Sequence, residues 1–299
     1  MNSDQAIMAV QGLRKRFGPI DAVNGLDFTV PQGCVCGFLG RNGAGKTTTI
    51  KMLLGMMHAD VGEGRIFGEP IGDEAASVRI RQRTGFVAEV KEFYPFMTIR
   101  QMIDFNRTFY PQWQDRWEQR CLKDYELPLG QKTGKLSKGT RSKLALLLAF
   151  SRGADLLILD EPSEGLDPVA VETFLEHVVA LAAEGRTVFF SSHQLDEVEQ
   201  VCERVCLIDQ GRAVLETALD ELKTRIRKVS VTFPDSVPKA VFDEMAVKRL
   251  KVRGRSASLL IDGDTEPLEA RARAAGATSI EFAPVNLKEI FLETVGGRS

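Results

Sequence analysis

Nowhere does this sequence run apolar for the roughly 18–20 positions needed to cross a bilayer. Its longest apolar stretches, Leu144–Phe150 and Leu156–Leu159, are bounded by charge within a residue or two, which marks them as core elements. The opening MNSDQAIMAV has no basic stretch leading into an apolar one, so no signal peptide is expected. A charge bias is missing too: 39 Lys and Arg against 41 Asp and Glu leave a net −2, no general argument for a nucleic-acid partner. The five cysteines are an odd number without a secretory signal, which points to free thiols in a reducing compartment. Cys34-Val-Cys36 has no matching His/Cys pair and lies in an apolar run, so it is predicted to be strand core rather than half a metal site. Neither an internal repeat nor a low-complexity segment is present.

What is present suits a packed soluble protein: 43% hydrophobic and 27% charged residues over 299 positions. That length favours one large domain with a small appendage. Leu26–Val30 and Cys34–Leu39 are predicted strands, Thr47–Met57 a helix after a glycine-rich turn. Leu156–Leu159 and Thr187–Ser191 are further buried strands, with a helix over Val169–Ala183 between them. Buried apolar strands alternating with helices predict a mainly parallel sheet. Residues 98–150 read as helices without strands, a helical subdomain inserted into that sheet. After residue 225 the rhythm changes to Val229/Val231/Phe233 and Leu250/Val252, then Ser256–Ile261, a helix over Thr265–Ala275 stopped by Gly276, and Ile280/Phe282. Asn286 with Glu289 resembles a capping box opening a last helix. This β-α-β-β-α-β-α order predicts a small ferredoxin-like α+β domain over 226–299, with a nucleotide-binding domain over 1–225. Basic residues (Arg249, Lys251, Arg253, Arg255) alternate with its apolar ones, so one sheet face is expected to be solvated.

Gly40-Arg41-Asn42-Gly43-Ala44-Gly45-Lys46-Thr47 fits G-x-x-x-x-G-K-[ST] between a predicted strand and a predicted helix. Such a loop curls backbone N–H groups around phosphate oxygens, and the helix N-terminus adds positive potential. Gly40 through Thr48 are the expected phosphate-binding residues. Lys46 is expected to bridge the outer phosphates and Thr47 to ligate Mg²⁺. The apolar strand Leu156–Leu159 ends in Asp160 and Glu161. Because successive strand residues point to opposite sides, the two acids can divide the work, Asp160 holding Mg²⁺ and Glu161 polarising the attacking water. A GTPase would carry an Asn-Lys-x-Asp base-reading sequence, and none exists here.

Leu136-Ser137-Lys138-Gly139-Thr140 lies between these motifs and resembles the signature of ATP-binding-cassette (ABC) proteins, usually Leu-Ser-Gly-Gly-Gln. Further matches follow the family's order. Glu161-Pro-Ser-Glu-Gly-Leu-Asp167-Pro resembles the run into the family's D-loop, Ser191-Ser-His193 its switch histidine, and Lys15-Arg-Phe17-Gly its adenine-stacking loop. Thr84-Gly-Phe-Val-Ala-Glu89 stands where the family normally has a glutamine joining the metal site to the membrane contact. The resemblance covers about residues 5–225. It implies a RecA-like, mainly parallel sheet with an antiparallel β part, ATP and Mg²⁺ as ligands, and Lys46, Glu161 and His193 as the reacting set. Phe17 would take the adenine, and Asp160, Thr47 and Glu89 the metal. Ser137 and Gly139 would act on ATP bound to a second cassette, with Asp167 at the seam of a homodimer or heterodimer.

Tyr94-Pro-Phe-Met-Thr-Ile-Arg100 and the signature look like bacterial ABC-2-type exporters. The chain would then sit at the cytoplasmic face of the membrane, driving separately encoded permease subunits. Soluble ABC proteins acting on ribosomes typically carry two cassettes, whereas one phosphate loop is present here. Those acting in DNA repair insert a long coiled coil, and no sustained heptads separate Lys46 from Asp160.

Overall fold

The computed structural model describes residues 6–242 and 247–296. The chain divides into two compact units, Met1–Glu216 and Thr217–Ser299. The division falls nine residues before the expected 225/226 boundary and places one short helix, Leu219–Arg225, with the second unit.

In the first unit an antiparallel sheet is made by β1 (Ala6–Phe17), β2 (Ile20–Pro31), β4 (Val61–Ile66) and β5 (Glu69–Pro70), in the order β2-β1-β4-β5. β1 has no counterpart among the predicted strands. Its pairing slips between Val10 and Leu13, around the left-handed Gly12, and that bulge breaks the two-residue alternation by which a strand is recognised. Leu26–Val30 belongs to this sheet too.

The second sheet runs β10 (Arg212–Ala218), β9 (Arg204–Asp209), β3 (Val35–Leu39), β8 (Thr187–Ser192), β7 (Leu156–Asp160), β6 (Thr84–Val87). The pairs β9–β3, β3–β8, β8–β7 and β7–β6 are parallel. Every residue of β3, β7 and β8 is buried, which is why they read as continuous apolar runs. The core between the two sheets is sealed by Phe28, Phe38 and Phe189, whose ring centroids lie 5.1–5.8 Å apart. Cys34, Cys36 and Cys206 belong to the same core, and all five cysteines are buried free thiols. Burial pushes the Cys34 thiol up to about 11, so it stays protonated.

Helices α1 (Lys46–Leu53), α2 (Glu74–Arg83), α6 (Pro168–Ala183) and α7 (Leu195–Val201) connect the strands. Between β6 and β7 lie α3 (Ile99–Arg107), α4 (Asp115–Asp124) and α5 (Lys138–Ser151), with no strand among the described residues there. α3 starts where Thr98 and Gln101 form a reciprocal capping box. α6 starts at Pro168 under the Asp167 cap.

The second unit begins with α8 (Leu219–Arg225) and carries an antiparallel sheet ordered β12-β13-β11-β14: β11 (Ile226–Thr232), β12 (Val247–Arg253), β13 (Ser256–Asp262), β14 (Ser279–Ala283). β13 is antiparallel to both β11 and β12, so those two run the same way with one strand between them. That is the strand order of a ferredoxin-like domain, but where its first helix is expected the described residues form only a 3-10 turn, Lys239–Phe242. α9 (Glu266–Ala274) packs Leu268 and Ala272 with Val229, Val231 and Leu259.

The opposite face is not simply solvated as predicted. There Lys228 reaches Glu289 on α10 (Leu287–Gly296), and Leu260 is buried. Lys251, Arg253 and Arg255 stay exposed, while the Arg249 side chain lies outside the described residues. The Asn286 carboxamide accepts from the Glu289 N–H at 2.8 Å, and the Glu289 carboxylate turns to Lys228 instead. Half of the expected capping box therefore forms.

His177 is fully buried on α6. Its Nε2 lies 2.9 Å from Asp124 Oδ2, and the rings of Trp117, Tyr125 and Phe150 meet it edge-on. Burial holds its proton affinity below the usual value, with Asp124 opposing. Below about pH 6.5 the unfolded chain therefore takes up a proton that the folded one refuses, so stability falls as pH falls. The expected contribution is at most about 1.4 kcal/mol per pH unit. Tryptophan-fluorescence melts between pH 7.5 and 5.5 should show this slope, and His177→Gln should flatten it.

Candidate functional site

The parallel register decides what meets. Leu39 pairs with Ser192, Asp160 with Ser191 and Leu159 with Val87, so the chain leaves β3, β8, β7 and β6 at one edge of the sheet. In an open α/β sheet, ligands bind outside such carboxyl ends.

After β3 the chain turns through Gly40–Gly45 into α1. Gly45 has φ +104°, and a Cβ there would stand 2.3 Å from the Ala22 carbonyl oxygen, so no other residue fits. No side chain caps α1, which leaves its first N–H groups available to a ligand. Lys46 is buried, and its ammonium donates to the Gly40 carbonyl at 2.8 Å while lying 3.2 Å from Glu161 Oε1.

Asp160 ends β7, almost wholly buried, and accepts from the Ser191 hydroxyl at 2.6 Å. Burial pushes its carboxyl up, the Ser191 and Thr47 hydroxyls oppose that, and the charges of Glu89 and Glu161 add to it. Glu161 lies beyond the strand, in a left-handed conformation with φ +45°. The two acids thus diverge through this turn rather than through strand pleating, which corrects the sequence argument. The Glu161 N–H donates to Ser191 Oγ at 2.9 Å. Its carbonyl accepts from the Lys91 ammonium at 3.1 Å and from the Glu164 N–H at 3.2 Å. Its carboxylate lies between the Lys46 ammonium at 3.2 Å and the His193 imidazole, whose Nδ1 is at 2.8 Å.

The Thr47 hydroxyl donates to Glu89 Oε2 at 3.3 Å. Thr47, Glu89 and Asp160 supply only oxygen donors, which suits a hard divalent cation, and a cation here would offset the penalty of burying Asp160. A cavity of about 300 Å³ extends from Phe17 over Arg41–Thr48 to Glu89 and Glu161. Phe17, at the tip of the β1–β2 hairpin, offers a half-exposed ring at its mouth, with Lys15 Nζ 5.7 Å from the ring centre.

Ser137, Gly139 and Asp167 do not line this cavity. Ser137 caps α5 by accepting from the Thr140 N–H at 3.1 Å. A Cβ on Gly139 would stand 2.7 Å from the Gly165 carbonyl oxygen, and Lys138 pairs with Glu164. Asp167 caps α6 and lies 3.3 Å from Lys143. The signature turn is therefore packed on the segment that follows Glu161, outside the cavity that Glu161 closes.

Sequence reasoning missed Ser191 and Lys91, which hold the N–H and the carbonyl of Glu161, and Glu197, which accepts from the Ser163 hydroxyl at 2.8 Å. Ser191 was in plain view before His193 but carries no spacing signal. Lys91 sits in a polar loop where a lysine is normally solvated.

The ABC transporter family model matches residues 23–164. Nod factor export ATP-binding protein I of Burkholderia lata is 36% identical over 298 residues, covering 96% of each chain. An uncharacterized ABC transporter ATP-binding protein of Bacillus subtilis is 32% identical over 302 residues, covering 97% of this chain and 99% of its own. The solved structure of an ATP-binding subunit of an ABC transporter superposes with a TM-score of 0.66 at 27% identity, covering 73% of this chain and 92% of that one. A dimeric bacterial ABC transporter cassette shares the fold at 21% identity and a TM-score of 0.64, over 71% of this chain and 98% of its own. With curated relatives above 30% identity covering 96–97% of it, the chain belongs to the ABC transporter family, as an ATP-binding subunit and an ATPase.

Proposed function

We propose that this chain powers export through separately encoded permease subunits, closing as a pair of cassettes around ATP and hydrolysing it with Glu161 as general base. The observation that carries this reading is the Glu161 carboxylate at the cavity wall, between Lys46 and His193, with the signature turn facing elsewhere. A residue set that reads phosphate but does not line its own chain's cavity calls for a second cassette. Relatives named for export support the direction of transport. The cargo does not carry over, because cargo contacts would lie in the membrane subunits. Among the described residues no helix is long and apolar enough to cross a membrane, in keeping with a peripheral subunit held by its permease at the cytoplasmic face.

In this mechanism the α1 N-terminus and Gly40–Thr48 receive the phosphates, and Phe17 stacks on the adenine. Lys46 exchanges the Glu161 carboxylate for phosphate oxygens, which leaves that carboxylate free to orient water and take its proton. His193 holds the terminal phosphate. Thr47, Asp160 and Glu89 would hold Mg²⁺, which when bound neutralises charge on the transferring phosphoryl group. Ser137 and Gly139 address the nucleotide of the opposite cassette, with Asp167 at the seam. The second unit contains none of these residues and serves as an accessory, regulatory domain.

Glu161→Gln should leave ATP binding intact and lower turnover about 10²–10⁴-fold, the usual contribution of a positioned base. Lys46→Ala should weaken both. Steady-state hydrolysis alongside nucleotide titration separates the two, and Glu161→Gln turnover above a tenth of wild type would remove Glu161 from the role.

Sedimentation tests the pairing. The Glu161→Gln protein should be mainly monomeric alone and dimeric with Mg-ATP, and an unchanged mass would count against a shared-nucleotide dimer. Truncation after Ala218, which keeps β10 whole, should preserve ATP binding while altering the dimer equilibrium or basal rate. A folded truncate unable to bind ATP would return residues 219–299 to the cassette.

A further inference from the structure

We propose that Lys91 is a positioning residue for hydrolysis: its ammonium holds the Glu161 carbonyl and so fixes the backbone turn that aims the Glu161 carboxylate. The proposal rests on Glu161 being the general base and adds a residue that no motif of the chain contains.

Glu161 is one of four non-glycine residues with positive φ among the described residues, and a side-chain-bearing residue in that region costs about 1–2 kcal/mol. Its turn therefore needs partners for both its N–H and its carbonyl. The N–H side is held by Ser191, which is itself fixed on Asp160. The carbonyl side is held by Lys91 at 3.1 Å and by the weaker, same-turn Glu164 N–H at 3.2 Å. Rotating that carbonyl away would turn the carboxylate from its place between Lys46 and His193.

Lys91 is buried to the level of a core residue, which a lysine tolerates only where charge compensates it. Burial lowers the proton affinity of its ammonium and Lys138 adds to that, while the carboxylates of Glu164, Asp160 and Glu89 offset it in part. Glu89 precedes it by two residues and adds a carboxylate where a glutamine is usual. An ammonium at this point both offsets that charge and donates to the one carbonyl whose position sets the base. The two roles are compatible because a lysine has three donors on a single charge.

The test uses the full-length chain, with Mg-ATP affinity measured beside single-turnover hydrolysis. Lys91→Met should lower the hydrolysis rate about tenfold, equivalent to about 1.4 kcal/mol in the barrier, with Mg-ATP affinity within twofold of wild type. Lys91→Arg, which keeps a cationic donor, should recover to within about threefold. Added to Glu161→Gln, Lys91→Met should change the residual rate by less than about twofold, because the base it positions is already gone. Should the methionine variant fail to bind nucleotide, Lys91→Gln is read in its place, and loss of binding in both makes Lys91 a structural residue and overturns the proposal. It is overturned equally by a Lys91→Met rate within twofold of wild type, or by a further tenfold fall in the Glu161→Gln background. A Glu161→Gln protein that keeps more than a tenth of wild-type turnover sinks the general-base reading by itself, and this proposal with it.

Discussion

Parallel pairing of β3, β8, β7 and β6 is the constraint from which the site follows. Each crossover returns the chain to the same side of the sheet, so residues scattered between positions 39 and 193 emerge along one edge. The pairs Leu39–Ser192 and Asp160–Ser191 bring Lys46 and His193 each within hydrogen-bonding distance of Glu161. A slip of one residue in a parallel strand would reverse its side chains and separate them. Complete burial of these strands makes such a slip costly, and the aromatic packing of Phe28, Phe38 and Phe189 locks the antiparallel sheet over them.

Charge is balanced tightly within that edge. Asp160, Glu161 and Glu89 lie near the Lys46 and Lys91 ammonium groups, and a buried carboxylate left without such a partner would carry a large desolvation penalty. The ion pair between Lys46 and Glu161 joins the two halves of the site through the groups that phosphate and water would use. Backbone hydrogen bonds stabilise the strained Glu161 turn from both sides. The signature turn is tied in as well, since Lys138 departs from the usual glycine and pairs with Glu164, three residues after Glu161.

The second unit shows the same economy at smaller scale. α9 covers one face of its sheet, and the Lys228–Glu289 pair links α10 to the other. The basic residues that remain exposed lie toward the edge strand β12 and its turn, where unpaired strand edges are commonly guarded by charge.

The sequence by itself determined the elements whose cause is local. Continuous apolar runs marked β3, β7 and β8, and glycine spacing marked the phosphate loop, because burial on both faces and left-handed turns each demand particular residue types. It also named every residue that lines the nucleotide cavity with a polar role, through motifs that carry their own chemistry. β1 stayed illegible because a bulge breaks its period. The burial of His177 could not be read because nothing in a helix sequence tells which neighbours will close over a side chain. Only the tertiary structure decided that Asp160 and Glu161 part through a left-handed turn, that the Glu289 side chain leaves its own cap for Lys228, and that Ser191 and Lys91 hold the N–H and the carbonyl of one residue, Glu161. Those contacts join residues between 30 and 70 positions apart, and their geometry depends on strand register and crossover, which no local pattern encodes.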